Sequence, residues 1–113
     1  MKPEFYLPIL IVFLLFFWRY IKSKQVKRYI PAYMKQGATI IDVRTKDEFK
    51  FASNPKSINV PLDQIQNWEG VKRDKKIIVC CASGGRSTMA RQILIKKGYN
   101  DVINAGPWRN TLY

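Results

Sequence analysis

Fourteen consecutive residues, Phe5 to Trp18, carry no charge, and eleven of them are Leu, Ile, Val or Phe. Each of those eleven favours bilayer insertion by roughly 0.3–0.6 kcal/mol, so their sum exceeds the cost of one central charge. As a helix the run spans only about 21 Å against a hydrocarbon core of about 30 Å. It must therefore recruit Tyr20 and Ile21, with Arg19 snorkelling outward. The expectation is a short membrane span in contact with lipid through residues 5–21, weakened slightly by Pro8. Trp18-Arg19-Tyr20-Ile21-Lys22 contains no small-x-small site, which favours an uncleaved anchor over a signal peptide.

The formal net charge of +12 is distributed unevenly. Arg19 to Lys35 holds six basic residues and no acidic one, while Gly37 to Tyr113 holds thirteen against seven. The basic collar after the apolar run, set against Lys2, the amino terminus and Glu4 before it, places the C-terminal side in the cytoplasm by the positive-inside rule. The chain is thus expected to be a single-pass membrane protein whose domain faces the cytoplasm. Residues 1–24 form the anchor and collar, and 25–113 the domain. The collar is the expected linker and a source of attraction to an anionic leaflet. Nucleic acid is not an expected partner, because no aromatics interleave with the domain's basic residues and no nucleic-acid motif occurs.

The two cysteines, Cys80 and Cys81, are adjacent, so they cannot staple distant parts of the fold. Reduced thiols in a reducing compartment are the natural reading. The chain has no histidine. That removes Cys-His and Ser-His catalysis, leaves no evident zinc or haem ligand set, and implies neither a metal nor another cofactor.

Beyond the collar, Val26, Tyr29, Ile30, Tyr33 and Met34 fall at helical spacing, with a stop at Gly37 and a kink or restart plausible at Pro31. Thr39 to Val43 reads as a buried strand that delivers Asp42 and Arg44 to its C-terminal edge. Thr45 to Glu48 is a T-x-x-E capping box that opens a short helix. Ser57 to Val60 is a second strand stopped by Pro61, and Leu62 to Trp68 a brief helix. Ile77-Ile78-Val79 is the clearest buried strand, Ser87 to Lys97 an amphipathic helix, and Val102-Ile103 a last strand. This alternation predicts an α/β fold, a parallel sheet flanked by helices and preceded by one transmembrane helix. Ligands in such folds sit at the C-terminal ends of the strands.

Chemistry concentrates in Val79-Cys80-Cys81-Ala82-Ser83-Gly84-Gly85-Arg86-Ser87, a strand running into a cysteine, a loop of small residues and a helix start. A loop of small residues can turn several backbone N–H groups onto one point, and the helix start adds the positive end of its dipole. A thiolate there is stabilised, and Arg86 adds positive charge. Cys81 is therefore the candidate nucleophile, whereas Cys80 reads as a small buried hydrophobe.

The run Cys81 to Ser87, C-A-S-G-G-R-S, resembles the active-site loop of rhodanese-like domains, typically C-x-x-G-x-R-S. Asp42-Val43-Arg44 resembles the family's D-V-R signature. Glu48-Phe49 and Ile58-Asn59-Val60-Pro61-Leu62 match its E-F and I-N-I-P-L elements. The likeness runs from about Gln25 to Trp108. It departs at Ala52-Ser53-Asn54-Pro55-Lys56-Ser57, where the family has G-H-I-P-G-A, and at Ala105-Gly106-Pro107-Trp108, where a G-G pair is common. Both departures bear on the rim of the pocket rather than on the fold.

The resemblance implies a thiosulfate sulfurtransferase-like enzyme working through a Cys81 persulfide. Its partners would be a small sulfur-containing anion as donor and a thiol or protein as acceptor. Ala82, Ser83, Gly84, Gly85 and Arg86 would cradle the anion, with Arg86 orienting it and Ser87 starting the helix and donating its hydroxyl. Asp42 and Arg44 would order the loop by ion pairing.

Two other readings compete. Counted from Cys80, the stretch is C-x5-R-S, the spacing by which tyrosine-phosphatase-like enzymes wrap a phosphate, with Asp63 or Asp74 as the acid. Alternatively the chain is a membrane-tethered sulfur carrier or a redox sensor without catalytic turnover. Strand register separates the cysteines, because adjacent strand residues point to opposite faces.

Overall fold

The computed structural model describes residues 3–113. Met1 and Lys2, which belong to the expected anchor and its charge bias, lie outside the described residues. After a single 3-10 turn at Pro3–Phe5, helix α1 runs from Leu7 to Lys35, followed by β1 (Thr39–Asp42), α2 (Lys46–Phe51) and β2 (Ser57–Asn59). A 3-10 segment, Leu62–Asn67, precedes β3 (Ile77–Cys81), α3 (Gly85–Lys96) and β4 (Val102–Pro107), and another, Trp108–Thr111, closes the chain.

Helix α1 is continuous through the basic collar and through Pro31. The collar, the expected linker, is helical, and the boundary at Lys24 falls inside α1. The stop comes where expected. Gly37 adopts φ +83°, and the amides of Gly37 and Ala38 bond back to the carbonyls of Met34 and Tyr33, both at 3.1 Å. This is the Schellman pattern that a left-handed glycine permits. Helix α1 is long and apolar enough to cross a membrane by length and composition, and its apolar window is 0% buried in the structure.

The four strands are all parallel, in the order β2-β1-β3-β4. Alternate residues of β1 and β3 feed two separate cores, which is why β3 reads as an unbroken apolar run and β1 as Ile40-Ile41 between polar ends. Ile41, Ile77, Val79 and Cys81 face α3, where they meet Ala90, Leu94, Ile65 and Tyr99. Ile40, Ile78, Cys80 and Ala105 face the C-terminal part of α1 at Ile30, with Val26, Tyr33 and Met34 packed around them. Capping-box bonds open α2: the Glu48 amide donates to Thr45 Oγ1 and the Thr45 amide to Glu48 Oε1, both at 3.2 Å.

The direction of α1 follows from its contacts. Tyr33 Oη donates to Asp101 Oδ1 at 2.9 Å, at the N-terminal edge of the sheet just before β4. One to two turns earlier, Val26 packs on the core that holds Ala105, and Val26 and Tyr29 line one cavity with Ala105 and Gly106, near the C-terminal end of β4. The helix thus climbs the sheet against the strands, and its apolar part leaves the domain at the C-terminal edge.

Candidate active site

Strand β3 ends in Cys81, and only Ala82, Ser83 and Gly84 separate it from α3. Gly84 is the N-cap, with φ +106°, a conformation that side chains rarely adopt. This turn brings the Gly84 N–H to 2.9 Å from Cys81 Sγ. Ser87, buried in the first turn of α3, places Oγ 3.3 Å from the same sulfur and 3.1 Å from the Gly84 carbonyl. Burial pushes the Cys81 thiol up, but the Ser87 hydroxyl and the amides of Ser87, Gly84 and Ser83 outweigh it and hold the group below its ordinary value. Cys81 is 1% exposed, while Ala82, Ser83 and Gly85 lie at the surface of the turn.

Cys80 is different in every respect that matters. It is fully buried in the core facing α1, and burial, reinforced by nearby Asp42, drives its thiol far above the ordinary value. It cannot supply a thiolate to the loop. Asp74 sits in the turn before β3, at the opposite edge of the sheet from the cysteines, and Asp63 is solvent-exposed on the Leu62–Asn67 segment. The C-x5-R-S alternative therefore fails on the register of β3, which turns its cysteine away from the loop.

Asp42 and Arg44 form a buried ion pair, with Arg44 Nη2 2.7 Å from Asp42 Oδ2 and Arg44 Nε within 2.9–3.0 Å of both carboxylate oxygens. The remaining Arg44 donors reach the carbonyls of Glu48 at 3.4 Å and Ala52 at 2.7 Å, and the guanidinium lies 5.0 Å from the Trp108 ring centroid. These contacts order α2 and do not touch the loop. A hydrogen-bonded link to the loop runs through Glu48, whose carboxylate receives Arg86 Nη1 at 2.6 Å and Nη2 at 3.0 Å. The Arg86 guanidinium, held ready for an anion in the sequence reading, is occupied by this carboxylate. Pairing with Arg86, helped by the Thr45 amide, lowers the Glu48 carboxyl to about 2.

Glu48 enters the site without being foreseen there from the sequence. Its signals in the sequence, the capping box and the Glu48-Phe49 match, fix the residue on α2 but say nothing of Arg86. On the other side of the loop Asn104 Nδ2 donates to Thr88 Oγ1 at 3.0 Å, and Asn104 Oδ1 accepts the Gly106 amide at 2.8 Å. The second contact sits where β3 and β4 shift register, Val79 pairing with Asn104 but Cys80 with Gly106. The resulting bulge carries Gly106 close to Gly84, where a side chain on Gly84 would come within 3.5 Å of Gly106 Cα. Among the described residues, no cluster of His, Cys, Asp or Glu is arranged to hold a metal ion.

The model of the rhodanese-like domain family matches residues 25–105. Thiosulfate sulfurtransferase 18 of Arabidopsis thaliana is 32% identical over 88 residues, covering 65% of each chain. The chain spans 40–65% of the length of the curated relatives that match it at 32% identity. Among solved structures, a rhodanese-related protein from Thermoplasma volcanium is 33% identical with a TM-score of 0.62, over 80% of this chain and 86% of that one. The human single-domain sulfurtransferase TSTD1 is 22% identical with a TM-score of 0.66, over 75% of this chain and 90% of that one, a likeness of fold.

Proposed function

The chain belongs to the rhodanese-like domain family, and from that membership we propose that it is a sulfurtransferase whose Cys81 carries sulfur as a persulfide. The observation that carries the reading is the Cys81 sulfur held 2.9 Å from the Gly84 N–H and 3.3 Å from Ser87 Oγ. Both groups can donate to an anion at that point, and the start of α3 adds its dipole.

In the first half-reaction the Cys81 thiolate attacks the outer sulfur of a donor such as thiosulfate. A new S–S bond forms, the old one breaks, and sulfite departs with the bonding pair. The negative charge moves to the outer sulfur of Cys81–S–S⁻, one atom further out along the turn of Ser83 and Gly84. In the second half-reaction a thiophilic acceptor attacks that outer sulfur and the Cys81 thiolate is restored. No net oxidation occurs and no proton need move, so no acid or base beyond the loop is required. Ala82, Gly85 and Arg86 complete the turn, with Arg86 fixed by Glu48. The Asp42–Arg44 pair holds α2, and with it Glu48.

The apolar part of α1 anchors the domain to a membrane through residues 5–21, with the basic collar and residues 25–113 on the cytoplasmic side. Its full exposure in the structure supports this, since a soluble chain would leave that surface in water at a large cost.

Incubating the full chain with thiosulfate and weighing it intact tests the reading. A gain of one sulfur atom, removed by cyanide with release of thiocyanate, is the expected result. A chain that gains no sulfur is not a sulfurtransferase of this kind, and one that loads sulfur but does not turn over is a carrier.

A further inference from the structure

Two observations bear on the same edge of the sheet. Helix α1 climbs the sheet from Tyr33 at the N-terminal edge to Val26 near the C-terminal edge, so its apolar part departs on the side that carries Cys81 and its loop. Between that departing helix and the loop lies a cavity of about 750 Å³. Its walls on the domain side are Ser83, Gly84, Thr88 and the β4 bulge.

The helix side of the cavity is aromatic and basic. Trp18, Tyr20 and Tyr29 supply the ring surfaces, and Arg19 and Lys22 the charge, with Lys22 Nζ 4.1 Å from the Trp18 ring centroid. Among the described residues, no acidic one lines it. Trp18 precedes Val26 by eight positions, about 12 Å along a helix, so one cavity joins the loop to the end of the apolar segment. Trp and Tyr at that position sit at headgroup level in a bilayer. A small hydrophilic thiol has no use for such a surface. A thiol with an apolar tail does, because its tail stays in the bilayer while Arg19 and Lys22 draw its sulfur, as thiolate, into the cavity that Ser83 and Gly84 also line.

Resting on the sulfurtransferase reading of Cys81, we propose that the cavity between α1 and the Cys81 loop receives the acceptor, an apolar-tailed thiol presented at the membrane surface. The step balances without an outside oxidant. The acceptor thiolate attacks the outer sulfur of Cys81–S–S⁻, the Cys81 S–S bond breaks, Cys81 leaves as thiolate, and the acceptor departs as its persulfide anion.

The test uses the full chain in phosphatidylcholine vesicles, loaded with sulfur from thiosulfate and discharged to dodecanethiol, mercaptoethanol or cyanide in separate reactions. Discharge to dodecanethiol should exceed discharge to mercaptoethanol by about tenfold or more, since the tail concentrates the thiol at the site. Tyr29→Glu and Gln25→Glu, both at exposed helix positions where folding is insensitive, put a negative charge in the cavity wall. Each should cut the dodecanethiol rate several-fold relative to the cyanide rate. Equal rates for the two thiols overturn the proposal while leaving sulfur transfer intact. A dodecanethiol preference that survives both substitutions assigns it to partitioning alone and likewise overturns the cavity's part. If Cys81 never takes up sulfur, the sulfurtransferase reading and this inference fall together.

Discussion

Replacing Asp42 with Ala removes one half of a pair that the fold has taken wholly out of water. Asp42 is 0% exposed and Arg44 5%, and the carboxylate receives four hydrogen bonds from Arg44, one from its amide and three from its guanidinium, at 2.7–3.0 Å. Without the carboxylate, the guanidinium keeps only the neutral carbonyls of Glu48 and Ala52 and the face of Trp108. An uncompensated buried charge costs about 3–5 kcal/mol. The surviving partners place Asp42→Ala toward the lower end of that range. A domain of this size has only about 4–13 kcal/mol in total, so the variant loses a large share of its stability. With a urea dependence of about 1.5–2 kcal/mol per molar, the midpoint should fall by about 2 M. Urea unfolding of the full chain in detergent, followed by tryptophan fluorescence, measures the shift. Asp42→Ala/Arg44→Met should recover at least half of the loss, because the isolated charge is gone and the methionine still fills space. A loss below about 1 kcal/mol in the single variant, or a double variant no better than the sum of the two singles, would refute a buried, interdependent pair.

Ser87→Ala should raise the pH at which Cys81 becomes alkylatable, since the hydroxyl is the largest group favouring its thiolate. Iodoacetamide labelling rates against pH report this, and an unmoved midpoint would remove Ser87 from the site. Glu48 has a folded carboxyl value of about 2, below its ordinary 4.5, so its pairing with Arg86 contributes fully above the ordinary value and is lost as pH falls toward 2. Its carboxyl carbon should accordingly titrate near 2 by NMR in the wild type and higher in Arg86→Met, where the bonds from Thr45 still hold it below the ordinary value. A wild-type midpoint at 4.5 would contradict the ion pair.

Much of this architecture is legible in short runs of sequence, because the signals are local. β3 is apolar on both faces, and the period of two then assigns Cys80 and Cys81 to different cores without any further information. The Thr45–Glu48 box and the Gly37 stop are likewise contained within a few residues. The parts that escape are set by partners distant in sequence. Glu48 meets Arg86 across 38 positions, and Asn54 Nδ2 donates to Thr111 Oγ1 across 57 at 3.0 Å, closing the segment that departs from the family pattern. β4 continues past Ile103 to Pro107 because a bulge, held by the Asn104 side chain, lets it keep pairing with the cysteines. The collar stands at the one compositional boundary in the chain, which marks it as a linker, yet a run of solvated charges suits an exposed helix equally well.

The most direct test of Cys81 as the sulfur carrier compares thiosulfate-to-cyanide transfer by the full chain in wild-type, Cys80→Ser and Cys81→Ser forms, with the mass of each protein read after thiosulfate alone. Wild type and Cys80→Ser should gain one sulfur atom and turn over, while Cys81→Ser gains none and is inactive. Sulfur uptake that persists in Cys81→Ser, or that vanishes in a folded Cys80→Ser, would contradict the account.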